Sequence, residues 1–390
     1  MTGAHWLTAE RARLYSATVM ICLGSIVIHW IASSTDGADT QGRPLGADFI
    51  TFWGASWLGL QGRAQDAYDV ARIYAAEQVA VPALKVRFAW FYPPAFHLLV
   101  LPLALLPYLL SYLAFILSTL SAYVAVLRQV IRAPLAMWCL AGFSGVWLNA
   151  VQGQNAFLTA AIAGAALLNL ERRPVLAGVL IGLLAIKPHL AMLFPLALLA
   201  IGAWRAIGAA AVMALAVTGL SIVILGTPVS AAFLAGLHTA RDALESGALP
   251  WAKMPSVFAS LRVVGVPLTA AYAAHLIVAC GAAALVWHVW RIRADAALRN
   301  AVLMTATFFA SPYVYDYDLA WLAFPAAWYV NYANLHGWRR FDREILVCAW
   351  LLPVVVANLH FLVTLPVGPP MLCALLYVFA RRAYERPLAQ

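Results

Sequence analysis

The sequence predicts an all-α polytopic membrane protein, and three observations predict it. Of its 390 residues, 64% are hydrophobic and 11% charged, where a soluble domain has about 45–50% and roughly 25%. Mean hydropathy is +0.83. The apolar residues also gather in long runs, and about 20 residues of helix cross roughly 30 Å of hydrocarbon. A soluble globular enzyme is excluded. The net charge of +9 belongs to loops flanking apolar runs, so it points to membrane orientation rather than nucleic-acid binding.

Apolar runs fall at about 14–32, 94–127, 134–150, 156–170, 174–187, 189–203, 206–225, 267–290, 299–310, 319–333, 344–362 and 369–380. They predict about twelve transmembrane helices in a single integral membrane domain spanning 1–390. Arg11 and Arg13 precede the first run, which has no A-x-A ending and therefore reads as a retained span, not a cleaved signal. The second run is too long for one straight span and contains Pro102 and Pro107. Residues 94–107 are expected to form a short re-entrant or surface-lying helix, with the crossing at about 108–127. The five cysteines lie far apart inside apolar runs, which argues for small core residues over disulfides or a thiolate metal site.

Alternation of the twelve runs with a cytoplasmic N-terminus places 16 of the 25 Lys and Arg inside and 10 of the 16 acids outside. The balance is +10 inside and −1 outside, as the positive-inside rule requires, and both termini come out cytoplasmic. The outer face then collects the loops 33–93 and 226–266, the patch Ser311–Asp318, and the smaller patches Gln152–Asn155 and Lys187–His189. So much polarity on one face predicts an outward-facing site at the water–lipid boundary.

In the first outer loop, apolar residues recur at helical spacing from Phe49 to Leu60, with Trp53 and Trp57 one turn apart. This predicts an interfacial amphipathic helix. Asp48 precedes it, where it either caps the helix or carries chemistry. Lys187 and His189 flank Pro188 between two apolar runs, a costly placement unless they face a cavity or snorkel to the interface. Lysine binds phosphate as a point charge. Ser311–Asp318 offers three tyrosines and the acids Asp316 and Asp318, and the segment from Lys253 to Arg262 adds basic charge on the same side. Walker loops, G-x-G-x-x-G, H-E-x-x-H and serine-elbow patterns are absent, so nucleotide-dependent chemistry has no foothold.

Asp48-Phe49, Phe52-Trp53, Gly62, Tyr68-Asp69 and Phe91-Tyr92-Pro93-Pro94, followed by the 101–107 proline segment, resemble the opening of glycosyltransferase family 87. Gly153-Gln154-Asn155, Ala177–Gly182 with Ile186-Lys187-Pro188, and Ser311-Pro312 resemble its later blocks. The resemblance runs from about 46 to 320, with 14–225 as the catalytic module and 226–390 as variable C-terminal helices. Tyr315–Asp318 looks more like a proteobacterial branch. The resemblance implies an inverting transferase of the bacterial inner membrane with an extracytoplasmic site. It implies a polyprenyl-phosphate sugar as donor, often mannose, and a lipid or glycan as acceptor. It also implies an aspartate of the first outer loop as general base, which maps onto Asp48.

The residues fit that chemistry. Inversion needs a base for the acceptor hydroxyl while the phosphate leaves from the opposite face, and cations or donors near that phosphate stabilise its charge. Lys187 and Arg262, with His189 and Tyr92 as hydrogen-bond donors, are the expected phosphate ligands. Trp53, Gln154, Asn155, Tyr315, Asp316 and Asp318 are expected to contact substrate. No cofactor is expected: Asp316 and Asp318 make a thin ligand set for a divalent metal. Beyond donor, acceptor and membrane lipids no partner is expected. The competing reading is a transporter or flippase of lipid-linked sugars, for which inverted repeats are expected and not seen.

Overall fold

A computed structural model describes residues 5–359 and 365–385. The end of the apolar run 344–362, and Arg386 of the inside set, lie outside the described residues. Among those described, every named element is helical: α1 (Ala9–Ala32), α2 (Phe49–Leu60), α3 (Val70–Ala80), α4 (Pro94–Val100), α5 (Tyr108–Val130), α6 (Pro134–Ala141), α7 (Ser144–Val151), α8 (Ala156–Asn169) and α9 (Pro174–Leu183). Then follow α10 (Phe194–Ala200), α11 (Trp204–Leu225), α12 (Thr227–Ser246), α13 (Val257–Val263), α14 (Leu268–Arg291), α15 (Ala296–Ala310), α16 (Ala323–His336), α17 (Asp342–Asn358) and α18 (Gly368–Tyr384). Short 3₁₀ turns join several of them, including Trp251–Lys253 and Asp316–Leu322.

Among the described residues four helices, α1, α5, α11 and α14, are long and apolar enough to cross a membrane. The pair α6–α7, bent by 47°, makes a fifth if it is one span. The twelve apolar runs therefore do not become twelve full-length helices. The chain breaks where proline and polar residues interrupt it: 174–203 splits at Lys187-Pro188, and α5 starts directly after Pro107. Outward-facing side chains are what a lipid contact demands. Ile21, Ile28, Val212, Leu215 and Val223 are each more than 65% exposed on α1 and α11. The helices fit a multi-pass membrane protein.

Tight helix crossings come from glycine. A Cβ at Gly178 would lie 2.2 Å from the Ala206 carbonyl oxygen, and one at Gly182 would lie 2.5 Å from that of Ala210. Two glycines four apart thus let α9 approach the α11 backbone, the small-residue device of membrane helix packing. In the stretch after α1, α2 packs against both α3 and α4, and α4 in turn lies against α11. There α2 departs from its expected place on the surface: nine of its residues, from Phe49 to Leu58, are buried, on all sides of the helix. Its polar groups are served internally, Trp53 Nε1 donating to Leu106 O at 3.0 Å and Ser56 Oγ to Leu101 O at 2.6 Å. The segment 101–107 covers the helix face that was expected to meet the interface. The outer loop 226–266 is also not irregular, since α12 and α13 occupy most of it.

Candidate active site

The site begins where α2 begins. Gly46 and Ala47 take positive φ (86° and 40°) to turn the chain into Asp48. Gly153, also at positive φ, lies so close that a Cβ there would sit 2.4 Å from the Gly46 oxygen. This presses the 152–155 turn against the start of α2. Asp48 occupies the N-cap position, yet its side chain caps no amide. Its Oδ2 accepts instead from Gln154 Nε2 at 2.8 Å, and Gln154 Oε1 accepts from Tyr92 OH at 2.8 Å. The capping alternative is overturned. The contrast is Asp69, whose carboxylate accepts from the Ala71 and Arg72 amides as a true cap.

The same turn reaches the later acids. Gln152 Nε2 donates to Asp316 Oδ1 at 3.2 Å. Asn155 Oδ1 accepts from Lys187 Nζ at 3.1 Å, and Lys187 Nζ lies 2.5 Å from Asp318 Oδ1. Both members of that ion pair are buried, 2% and 1% exposed. Asp318 Oδ2 accepts from the Tyr315 amide, Lys187 lies over the Tyr317 ring, and Tyr315 stacks on Tyr317 with centroids 5.3 Å apart. Residues separated by more than a hundred positions are thereby tied to one four-residue turn.

Burial raises Asp48 above the ordinary carboxylate range, opposed by the Gln154 hydrogen bond and by the charges of Lys253 and Lys187. Burial likewise pushes Asp316 up to about 7, opposed chiefly by Lys253. Its Oδ2 has no hydrogen-bond partner. Burial lowers His189 to about 3, helped by the Lys187 charge, so the ring is neutral at pH 7. Beside these groups lies a cavity of about 300 Å³. Its lining mixes polar side chains (Tyr92, Lys187, His189, Tyr313 and Arg241) with apolar ones, among them Phe233, Leu237 and Leu244 of α12.

Asp48, Tyr92, Gln154, Asn155, Lys187, His189, Tyr315, Asp316 and Asp318 of the expected set are thus gathered in one region. Trp53 and Arg262 are not brought to it. Trp53 is spent on Leu106 and stacks on Trp57, 5.5 Å between centroids. The Arg262 guanidinium donates to the Val266 and Glu245 carbonyls and lies over Trp251. Sequence reasoning passed over Gln152, Tyr313 and Lys253 as site residues. Each stood in a polar patch on the right face, and nothing local ranked it above its neighbours.

Broken helices and glycine-mediated crossings fit a multi-pass membrane protein, and its buried polar groups adjoin a cavity with both polar and apolar lining. Residues 90–312 match glycosyltransferase family 87, more than half of the chain, and the chain belongs to that family. It is a membrane glycosyltransferase by family. The matched stretch includes Tyr92, Gln154, Asn155, Lys187, His189 and Arg262, and begins after Asp48 and Trp53. No curated protein matches the chain, and neither does any solved structure.

Proposed function

We propose that this chain is an inverting glycosyltransferase of the bacterial inner membrane. It takes a sugar, mannose by family resemblance, from a polyprenyl-phosphate donor and passes it to a lipid or glycan acceptor on the extracytoplasmic face. The observation that carries the reading is the double role of Tyr92. It lines the amphipathic cavity and, through Gln154, joins the hydrogen-bonded chain that ends on Asp48. A donor in this cavity would have its head group beside Tyr92, from which two hydrogen bonds lead to that carboxylate, and its lipid along the apolar residues of α12.

In this reading the acceptor oxygen attacks the anomeric carbon as its proton passes to Asp48. The bond from that carbon to the phosphate oxygen breaks, and the phosphate leaves with the electron pair on the opposite face. Gln154 orients the carboxylate, and burial makes it a stronger base than a solvated aspartate. Lys187 is matched by Asp318, so the pair holds the site's shape and offers little net charge to a phosphate. A resident metal is not part of this reading, because Gln152 engages Asp316 and Lys187 engages Asp318.

The test uses the purified full chain in proteoliposomes with radiolabelled mannosyl polyprenyl phosphate and a bacterial lipid extract as acceptor. The expected result is a labelled glycolipid of opposite anomeric configuration. Donor that crosses the bilayer with its sugar–phosphate bond intact, and no labelled product, would make the chain a transporter of lipid-linked sugars instead.

A further inference from the structure

The cavity beside Asp48 needs a cation for an anionic ligand, and the two basic residues expected to supply it are already committed. Lys187 is balanced by Asp318 at 2.5 Å, and Arg262 lies outside the cavity lining, bound to main-chain carbonyls. His189 contributes a donor or acceptor but no charge at neutral pH. One more basic side chain lines the cavity: Arg241, on α12.

Its helix is built for the task. Phe233, Leu237, Ala240, Arg241 and Leu244 line the cavity, and their spacing puts them on one face of α12. Phe233 anchors that helix to the outer loop by an edge contact with Tyr68, at 6.0 Å. Leu237 both lines the cavity and is 46% exposed, so it stands at the mouth. Tyr92, Tyr313 and His189, whose buried Nε2 has no hydrogen-bond partner, line the same cavity.

Arg241 is also free to move. Its side chain is 67% exposed, and its Nε donates to Glu245 Oε1 at 2.8 Å, one turn along the same helix. An exposed pair of this kind holds its partners only weakly. If Arg241 turns away, Glu245 keeps the Tyr272 hydroxyl, 3.0 Å from the same oxygen. A guanidinium presents a planar fork that fits two phosphate oxygens.

We propose that Arg241 is the donor-phosphate-binding residue of this site, and that it exchanges Glu245 for the phosphate while the apolar face of α12 receives the first part of the lipid. The inference rests on the function proposed above and names a cation on the cavity wall itself.

The test measures binding of undecaprenyl phosphate, undecaprenol and inorganic phosphate to the full chain in nanodiscs. Arg241→Gln should weaken undecaprenyl phosphate by about tenfold or more, leave undecaprenol unchanged, and melt at the parent temperature. Arg241→Lys should retain part of the affinity, and Glu245→Gln should bind the lipid phosphate at least as tightly as the parent. Parental binding of undecaprenyl phosphate by Arg241→Gln overturns the assignment while leaving the glycosyltransferase reading intact. If inorganic phosphate displaces the lipid phosphate at equal concentration, the lipid-binding half of the proposal is wrong. A parent that binds no lipid phosphate at all removes both the donor reading and this inference.

Discussion

Asp48 is the general base of the proposed reaction, and its surroundings separate two roles that share a position. An N-cap aspartate satisfies amides of the first helical turn. Asp48 satisfies none and hydrogen-bonds Gln154 across 106 positions of sequence. Asn can replace a cap but cannot take a proton, so Asp48→Asn is expected to fold and bind donor while transferring sugar at least about a hundredfold more slowly. Asp69→Asn, which alters a true cap, should keep most of its turnover. Radiolabelled transfer at saturating donor measures both. Turnover near the parent's in Asp48→Asn, with the Asp316→Asn variant dead, would move the base to Asp316. Lys187 is a poorer diagnostic residue, because removing it strands the buried Asp318 charge, which commonly costs about 3–5 kcal/mol.

At the scale of elements, the packing of α3 on α2 carries an unusual group. Glu77 is 0% exposed, and neither carboxyl oxygen has a hydrogen bond of good geometry. Its Cγ would lie 3.2 Å from a Cβ at Gly54, so it sits directly against the helix that Asp48 starts. Burial holds this acid up to about 9, the Asp48 charge adds to the effect, and the neighbouring Phe88 amide opposes it. The group is therefore neutral in the folded outer loop at pH 7. Because its folded value lies above its ordinary 4.5, the folded state holds the proton more tightly. Stability should fall as pH rises from about 4.5 toward 9. The melting temperature of the parent should drop between pH 7 and 9, and Glu77→Gln should flatten that dependence. An equal drop in both proteins would show that another group carries it.

For the whole molecule, the charge distribution gives the orientation to test. With the cytoplasm taking the +10 side, single cysteines at Thr40 and Ala248 in a cysteine-free background should react with an impermeant thiol reagent in intact cells. One at Gly337 should react only after the cells are opened. Labelling of Gly337 alone in intact cells would invert the topology and place the site on the cytoplasmic face.

Composition and run length alone point to a helical membrane protein and to the start of α5 after Pro107. The sequence also marked Phe49–Leu60 as helical. Composition, run length and proline are local properties that act within a few turns of chain. It likewise marked the polar patches around Asp48, Gln154, Lys187 and Asp316, since polar residues between apolar runs are visible without a fold. What those residues touch follows from the fold. Gln152 meets Asp316 across 164 positions and Lys187 meets Asp318 across 131, and no periodicity encodes such pairings. The same holds for α2. Its spacing is that of a surface helix, but the 101–107 segment folds over it and turns an interfacial face into core. Arg262 and Arg241 make the point most simply. Both are basic residues of the stretch 226–266, and the fold of α12 and α13 puts Arg241 in the cavity wall and leaves Arg262 on the Val266 and Glu245 carbonyls.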